Sequence, residues 1–325
     1  MSLTKEQLAL RSTGLSASDP AALMGLHPTR TQLDVWRDKC LPELADDEAS
    51  DVMLLGEVLE PAVVEYYRRK TGALIDNPGT LVGSRPLMLA TPDRIATLNG
   101  ERRLVEVKTS QAFGARDAWG QEGTDEIPEH HKIQVQWTMA VAGLKRADVV
   151  ALLSGRPAFF FVEYDPSYVD VLYEMGMVWW EKHVLSREPP KPDGSESWAR
   201  YIKQKFPQNV GTTLEPATMD DVLWVNKYRR AQEAEKVAEQ EKAEARQVLE
   251  LRIGEAPGLE GPGWRLWWKN NKSSWKTDWE KVAAHFSPSE ELIQECSKEV
   301  LGARPFVVRE VKPKFHELPQ GETNG

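Results

Sequence analysis

Residues 89–109 read LATPDRIATLNGERRLVEVKT, two short apolar runs that place Asp93 thirteen residues before the triplet Glu106-Val107-Lys108. From Arg103 to Thr109 the residues alternate, so Val105 and Val107 face one way while Glu106 and Lys108 share the other face of a strand. A carboxylate and an ammonium therefore point at one place. Asp93 joins them from the end of the preceding strand, because Thr91-Pro92 stops regular pairing and turns the backbone outward. Two hard oxygen ligands beside a lysine suit Mg²⁺ or Mn²⁺, which prefer carboxylate, carbonyl and water.

The triplet by itself is a weak signal in a chain with 28% charged residues. Alone it reads as an edge strand of alternating charge. The chain carries a second copy, Glu310-Val311-Lys312, with no Pro-Asp in the thirty residues before it. That copy reads as a solvated strand end. What separates the two is the company the first one keeps.

At 325 residues the chain exceeds one average domain and can bury a full core. A hydrophobic content of 41% fits a globular protein, and no run approaches a membrane span. The first ten residues include Lys5 and Glu6 and lack a long apolar segment, so the expectation is a cytoplasmic protein without membrane partners. Cys40 and Cys296 are too few for a four-cysteine zinc or iron–sulfur centre. The net charge of −9 disfavours an indiscriminate nucleic-acid binder but allows a basic channel within an acidic exterior.

Capping and periodicity predict helices over Leu3–Leu10, Ser18–Met24 and Thr31–Lys39. The loop between the first two, Arg11 to Ser18, enters a helix with hydroxyls and an arginine at hand. That combination suits either a phosphate or ordinary serine capping. A helix over 52–70 carries Leu55, Leu59, Val63, Tyr66 and Tyr67 on its apolar side, with Glu60 among them and Pro61 as a start or kink. A glutamate held there needs a partner, a metal or a structural hydrogen bond.

Pro128 opens a helix to about Ala142 that puts His131, Gln134 and Trp137 or Thr138 on one stripe. The adjacent His130 and His131 diverge by about 100° on such a helix, which argues against a zinc pair. Strands over 147–153 and 158–164 form a hairpin, and a helix over 167–185 follows with Val171, Met175, Val178 and Trp179 toward the core. This order gives an α/β or α+β domain, a mixed sheet flanked by helices, over 1–190. The Pro-rich residues 191–216 read as a linker and 217–252 as one long helix. Residues 253–325 form a small Trp-rich α/β unit holding five of the twelve tryptophans. Trp264, Trp267, Trp268, Trp275 and Trp279 are interleaved with Lys269, Lys272 and Lys276, as on a single-strand-binding surface. The favoured expectation is nonetheless a small core built from large side chains.

Taken together, Gly14-Leu15-Ser16-Ala17-Ser18-Asp19, Gly56-Glu57-Val58-Leu59-Glu60-Pro61, Thr91-Pro92-Asp93, Glu106-Val107-Lys108 and Ile127-Pro128 followed by Gln134-Val135-Gln136 resemble the YqaJ and phage lambda exonuclease group of recombination nucleases, within the PD-(D/E)XK fold. The five motifs fall in the family's order over about residues 11–190. The chain departs from the pattern at His131, where the family usually has tyrosine. The resemblance implies a 5′-to-3′ exonuclease on double-stranded DNA ends, a ring-shaped homotrimer that leaves a 3′ strand for a single-strand annealing protein encoded nearby. It implies two Mg²⁺ ions, with Mn²⁺ as a substitute, held by Asp93, Glu106, the Val107 carbonyl and Glu60. Lys108 would orient the attacking water, with Gln134 positioning it. Arg11, Ser16 and Ser18 would grip the 5′-phosphate, with Thr91 and His131 also near the DNA. An endonuclease of the same fold is the first alternative and a non-catalytic DNA-binding protein the second; a Cas4-like nuclease lacks its cysteines here.

Overall fold

The structure, a computed structural model, describes residues 9–41, 51–110, 115–211 and 213–297. It divides into two compact units, Met1–Lys205 and Phe206–Gly325. Most of the expected helix over Leu3–Leu10, and the second triplet at Glu310, lie outside the described residues.

The first unit is built on a mixed five-stranded sheet in the order β1-β4-β5-β6-β7, where β1 is Leu74–Asp76, β4 Arg94–Leu98, β5 Glu101–Ser110, β6 Arg146–Leu153 and β7 Arg156–Glu163. Only the β5–β6 pair is parallel. Two tight turns fix the antiparallel registers. Asn99-Gly100 (φ 52° and 81°) and Ser154-Gly155 (φ 48° and 77°) both take the left-handed conformation that matches the twist of a two-residue hairpin. The short strands β2 (Leu81–Val82) and β3 (Leu89–Ala90) pair apart from the main sheet.

After a helical turn at 9–11 come α1 (Asp19–Leu23) and α2 (Gln32–Cys40), close to their expected spans. Thr31 and Asp34 cap α2 reciprocally. Helix α3, Asp51–Thr71, runs through Pro61 and covers one sheet face, its Val63, Val64 and Tyr67 packing with Val105, Val107 and Val150. Helix α4, Glu129–Ala142, covers the other face with Val135 and Met139 against Leu104 and Val149. Its opposite side, Ile133 and Trp137, packs into a helical layer of α1, α2, α5 (Pro166–Trp179) and α6 (Glu196–Lys205). Burial on both sides makes α4 the central helix of the unit.

Several expectations are corrected. Along α3, Leu55 and several neighbours in the first half are exposed, because only the second half meets the sheet, and there Tyr66 is exposed beside the buried Val63 and Tyr67. On α5, Val171 and Val178 face solvent, and Val169, Leu172 and Gly176 make the contact instead. The helix also ends at Trp179, continuing as a π-turn over Trp180–Leu185. The stretch read as linker contains α6, whose Trp198 and Tyr201 enter the core, so the first unit reaches Lys205.

In the second unit α7, Met219–Ile253, begins at a Thr218–Asp221 capping box and is exposed along most of its length. It is followed by a hairpin of β8 (Gly258–Gly261) and β9 (Trp264–Trp267), then α8 (Trp279–Phe286) and α9 (Glu290–Glu295). The Trp core expected there is absent among the described residues: Trp264, Trp267, Trp268, Trp275 and Trp279 are all exposed.

Candidate active site

Strand β5 carries the site, because its alternation sorts apolar from polar residues. Val105 and Val107 enter the core under α3, while Glu106 and Lys108 turn to the α4 side. There Gln134, one helical turn after His131, closes a ring of hydrogen bonds. Lys108 Nζ donates to Glu106 Oε1 at 2.8 Å and to Gln134 Oε1 at 3.0 Å, and Gln134 Nε2 donates to the same glutamate oxygen at 2.7 Å. Glu106 is buried.

Asp93 stands where β4 departs from β5: Arg94 is the last register partner, opposite Val105. The Val107 amide is instead taken by Asp93 Oδ2 at 2.8 Å. Pro92 thus ends the pairing and the aspartate substitutes for a strand carbonyl. Burial and the Glu106 carboxylate raise the Asp93 carboxyl above the usual range, against the pull of Lys108 and the Val107 amide. Burial alone would depress the Lys108 ammonium, but Glu106 and Asp93 outweigh it and raise its pKa. Glu60 reaches the site from α3 and is held by Arg94 at 2.9 Å. Its pKa is raised by burial and by Asp93.

A second polar centre lies in the N-terminal segment. Asp19 is buried, and its carboxylate meets Arg30 at 2.8 Å, Lys39 at 2.9 Å and the Ser16 amide at 2.7 Å. Arg11 donates to Ser16 Oγ at 3.2 Å, and Lys39 also bonds the Arg11 carbonyl. Three cations thus surround one carboxylate. Burial would raise Asp19, yet Lys39 and Arg30 hold it far below the usual carboxylate range. The segment is pinned to the sheet side by Leu15, which exchanges backbone bonds with Leu87 and Leu89. Gly14 permits this approach, since a Cβ there would come within 2.5 Å of the Leu87 carbonyl oxygen.

Between the two centres runs a row of rings. Trp119 and His131 lie 5.5 Å apart by centroids, His131 and His130 4.0 Å, and His130 and His27 6.0 Å. Burial, with Arg30, His130 and Lys108 nearby, lowers His27 to about 4. Burial and Lys108 likewise push His131 down, and its buried Nδ1 has no partner among the described residues. Burial and the nearby cations thus favour the neutral form of each imidazole in the row.

Of the candidates read from the sequence, Asp93, Glu106, Val107, Lys108 and Gln134 come together directly, and Arg11 with Ser16. Glu60 borders the first group through Arg94. Ser18 is half-buried and makes no side-chain cap bond. Thr91 is exposed and tied to Thr80 at 2.9 Å. His131 belongs to the ring row. The sequence reading missed Arg30, Lys39, Arg94 and His27. No spacing rule reveals them, since Arg30 and Lys39 meet Asp19 across eleven and twenty residues of loop and helix.

Among the described residues no three His, Cys, Asp or Glu side chains converge as a ready metal cage. Two carboxylates do: Asp93 and Glu106, crowded enough to raise the first. Each commits one oxygen to protein donors, and among the described residues no protein donor holds the other. This donor set fits Mg²⁺, which binds through one or two carboxylates and keeps waters and substrate phosphates. Glu60 would have to share itself with Arg94 to join.

Residues 6–145 match the family described as the YqaJ-like viral recombinase domain. The chain is 27% identical over 206 residues to the uncharacterized protein YqaJ of Bacillus subtilis (strain 168), covering 62% of this chain and 63% of that protein, less than two thirds of its length. Similar solved structures include the alkaline exonuclease LHK-Exo of Laribacter hongkongensis in complex with dAMP, at 19% identity and TM-score 0.45 over 62% of this chain and 97% of that one. Another is a phage related exonuclease from Haemophilus somnus 129PT, at 13% identity and TM-score 0.43 over 55% and 99%. The family match takes in Arg11, Asp93, the Glu106–Lys108 triplet and Gln134, so the residues of the candidate site lie within the stretch of this chain that is similar to the YqaJ-like viral recombinase domain.

Proposed function

We propose that the chain is a Mg²⁺-dependent exonuclease that degrades one strand of linear double-stranded DNA from its 5′ end. The observation that carries this is the ring of Glu106, Lys108 and Gln134 beside Asp93, within the stretch similar to a viral recombinase domain. Asp93 and Glu106 would hold the ions, two per site with Mn²⁺ able to substitute, together with the Val107 carbonyl and Glu60. When bound, Mg²⁺ supplies charge that lowers the pKa of water and stabilises a departing oxyanion. Lys108, fixed by two acceptors, orients the attacking water and offsets charge on the pentavalent phosphate. Gln134 keeps that ammonium aimed.

Arg11 and Ser16 supply an anion site, supported by Arg30 and Lys39. A 5′-phosphate suits it. Hydrolysis that breaks the P–O3′ bond leaves a new 5′-phosphate on the shortened strand, which can re-enter the same site. The first half of α3 exposes Val52, Leu54, Leu55 and Val58, a surface that supports subunit contact in the ring-shaped trimer. The 3′ strand left behind would pass to a single-strand annealing protein.

Digestion of duplexes labelled at the 5′ or 3′ end, beside covalently closed circles, tests the reading. The expected result is Mg²⁺-dependent early release of the 5′ label as mononucleotide, with circles intact. Cut circles would favour the endonuclease alternative.

A further inference from the structure

The second unit presents a feature the nuclease site does not use. Residues 261–277 contain Trp264, Trp267, Trp268 and Trp275 with Arg265, Lys269, Lys272 and Lys276, and no Asp or Glu, in a chain of net charge −9. A small unit short of core would be expected to bury its tryptophans, yet these are exposed, Trp264 at 51% and Trp275 at 103%. Their placement on the hairpin explains how they stay out. Register sets Trp264 opposite Gly261 and Trp267 opposite Gly258. A Cβ on Gly261 would lie 2.4 Å from the Trp264 ring, so the indole packs on bare backbone there while half of the residue stays exposed. Lys269 sits 5.2 Å from the Trp267 ring centre, and a recess of about 540 Å³ lined by Pro257, Trp268, Lys269 and Asn270, with Glu255 at its wall, adjoins the strand. Arg265 is paired with Glu260, whereas Lys269, Lys272 and Lys276 form no ion pair among the described residues.

We infer that residues 264–276 form a binding surface for single-stranded DNA. Flat, exposed indoles offer stacking partners to unpaired bases whatever their sequence, and lysines between them meet the linking phosphates. Charge complementarity favours this occupant over a second copy of this acidic chain. The choice of DNA as the polymer rests on the nuclease reading; the stacking surface itself does not.

Anisotropy of a labelled twenty-nucleotide oligothymidylate, titrated with the full chain in EDTA to prevent cutting, tests the inference. Trp267→Ala with Trp275→Ala should weaken binding roughly ten-fold or more. The triple change of Lys269, Lys272 and Lys276 to Ala should flatten the plot of log affinity against log salt by about 2. Both variants should keep wild-type far-UV circular dichroism and the wild-type initial rate on short blunt duplex. Unchanged affinity and slope in both variants would overturn the surface. Equal binding of oligouridylate, lost in the same variants, would overturn the choice of DNA. Concentration-dependent self-association that the variants abolish, without loss of DNA binding, would assign the patch to a second copy instead. If wild type cuts no duplex yet binds oligothymidylate through these residues, the nuclease reading fails and the surface stands.

Discussion

Each residue of the β5 ring has a separable consequence. Lys108→Ala removes the ammonium bonded to Glu106, and Asp93→Asn removes a carboxylate charge from the proposed metal site. Each should slow Mg²⁺-dependent digestion by about 10³-fold, the scale of losing a preorganised electrostatic group, while size-exclusion chromatography shows assembly unchanged. Gln134→Ala leaves Lys108 its glutamate and should cost less, on the order of ten-fold in kcat. Arg11→Ala should erase any preference for 5′-phosphorylated over 5′-hydroxyl ends; equal rates on both ends in the wild type would refute that role. The β5 side of this site was legible because period-two alternation names the face of Glu106 and Lys108 without further information. The Arg30–Asp19–Lys39 centre was not. Its members come from a loop and two helices, and only the way α1 packs beside α2 brings their charges together.

At the scale of elements, that centre clasps α1 to α2, and it makes stability depend on pH. The folded pKa of Asp19 is lowered, so its contribution is complete above the unfolded value of about 4 and is lost as pH falls below it. Thermal melts should show wild type losing stability between about pH 5 and pH 2. Asp19→Asn, which breaks a buried pair at a cost of roughly 3–5 kcal/mol near neutrality, should be flatter over that range. Parallel curves for the two proteins would contradict the assignment. On the far side of the sheet, the Tyr67 hydroxyl donates to buried Asp148 at 2.6 Å, so Tyr67→Phe should destabilise by about 1–3 kcal/mol in urea unfolding. Helix α3 was readable from its apolar spacing and α7 from its helix-favouring Ala, Glu, Gln and Lys composition, since each runs for many turns. Short α6 was hidden behind a Pro-rich lead-in, and α5 faces inward through Val169, Leu172 and Gly176 rather than through Val171 and Val178, which no single-helix pattern discloses.

Across the whole molecule the chain sets the proposed metal-dependent cutting centre in one compact unit and an aromatic, basic hairpin in the other, and among the described residues no helix is long and apolar enough to cross a membrane. The sequence carried both expectations, but it favoured burial for the tryptophans because composition alone does not say whether a small unit spends its aromatic residues on a core or on a surface. The first unit's account rests on Asp93 and Glu106 sharing a divalent cation. Anomalous diffraction from crystals soaked in Mn²⁺ measures this directly. The account predicts a peak within roughly 2.0–2.2 Å of an oxygen of each carboxylate, absent in Asp93→Asn crystals; soaked wild-type crystals that bind Mn²⁺ elsewhere and show no peak between those two side chains would contradict it.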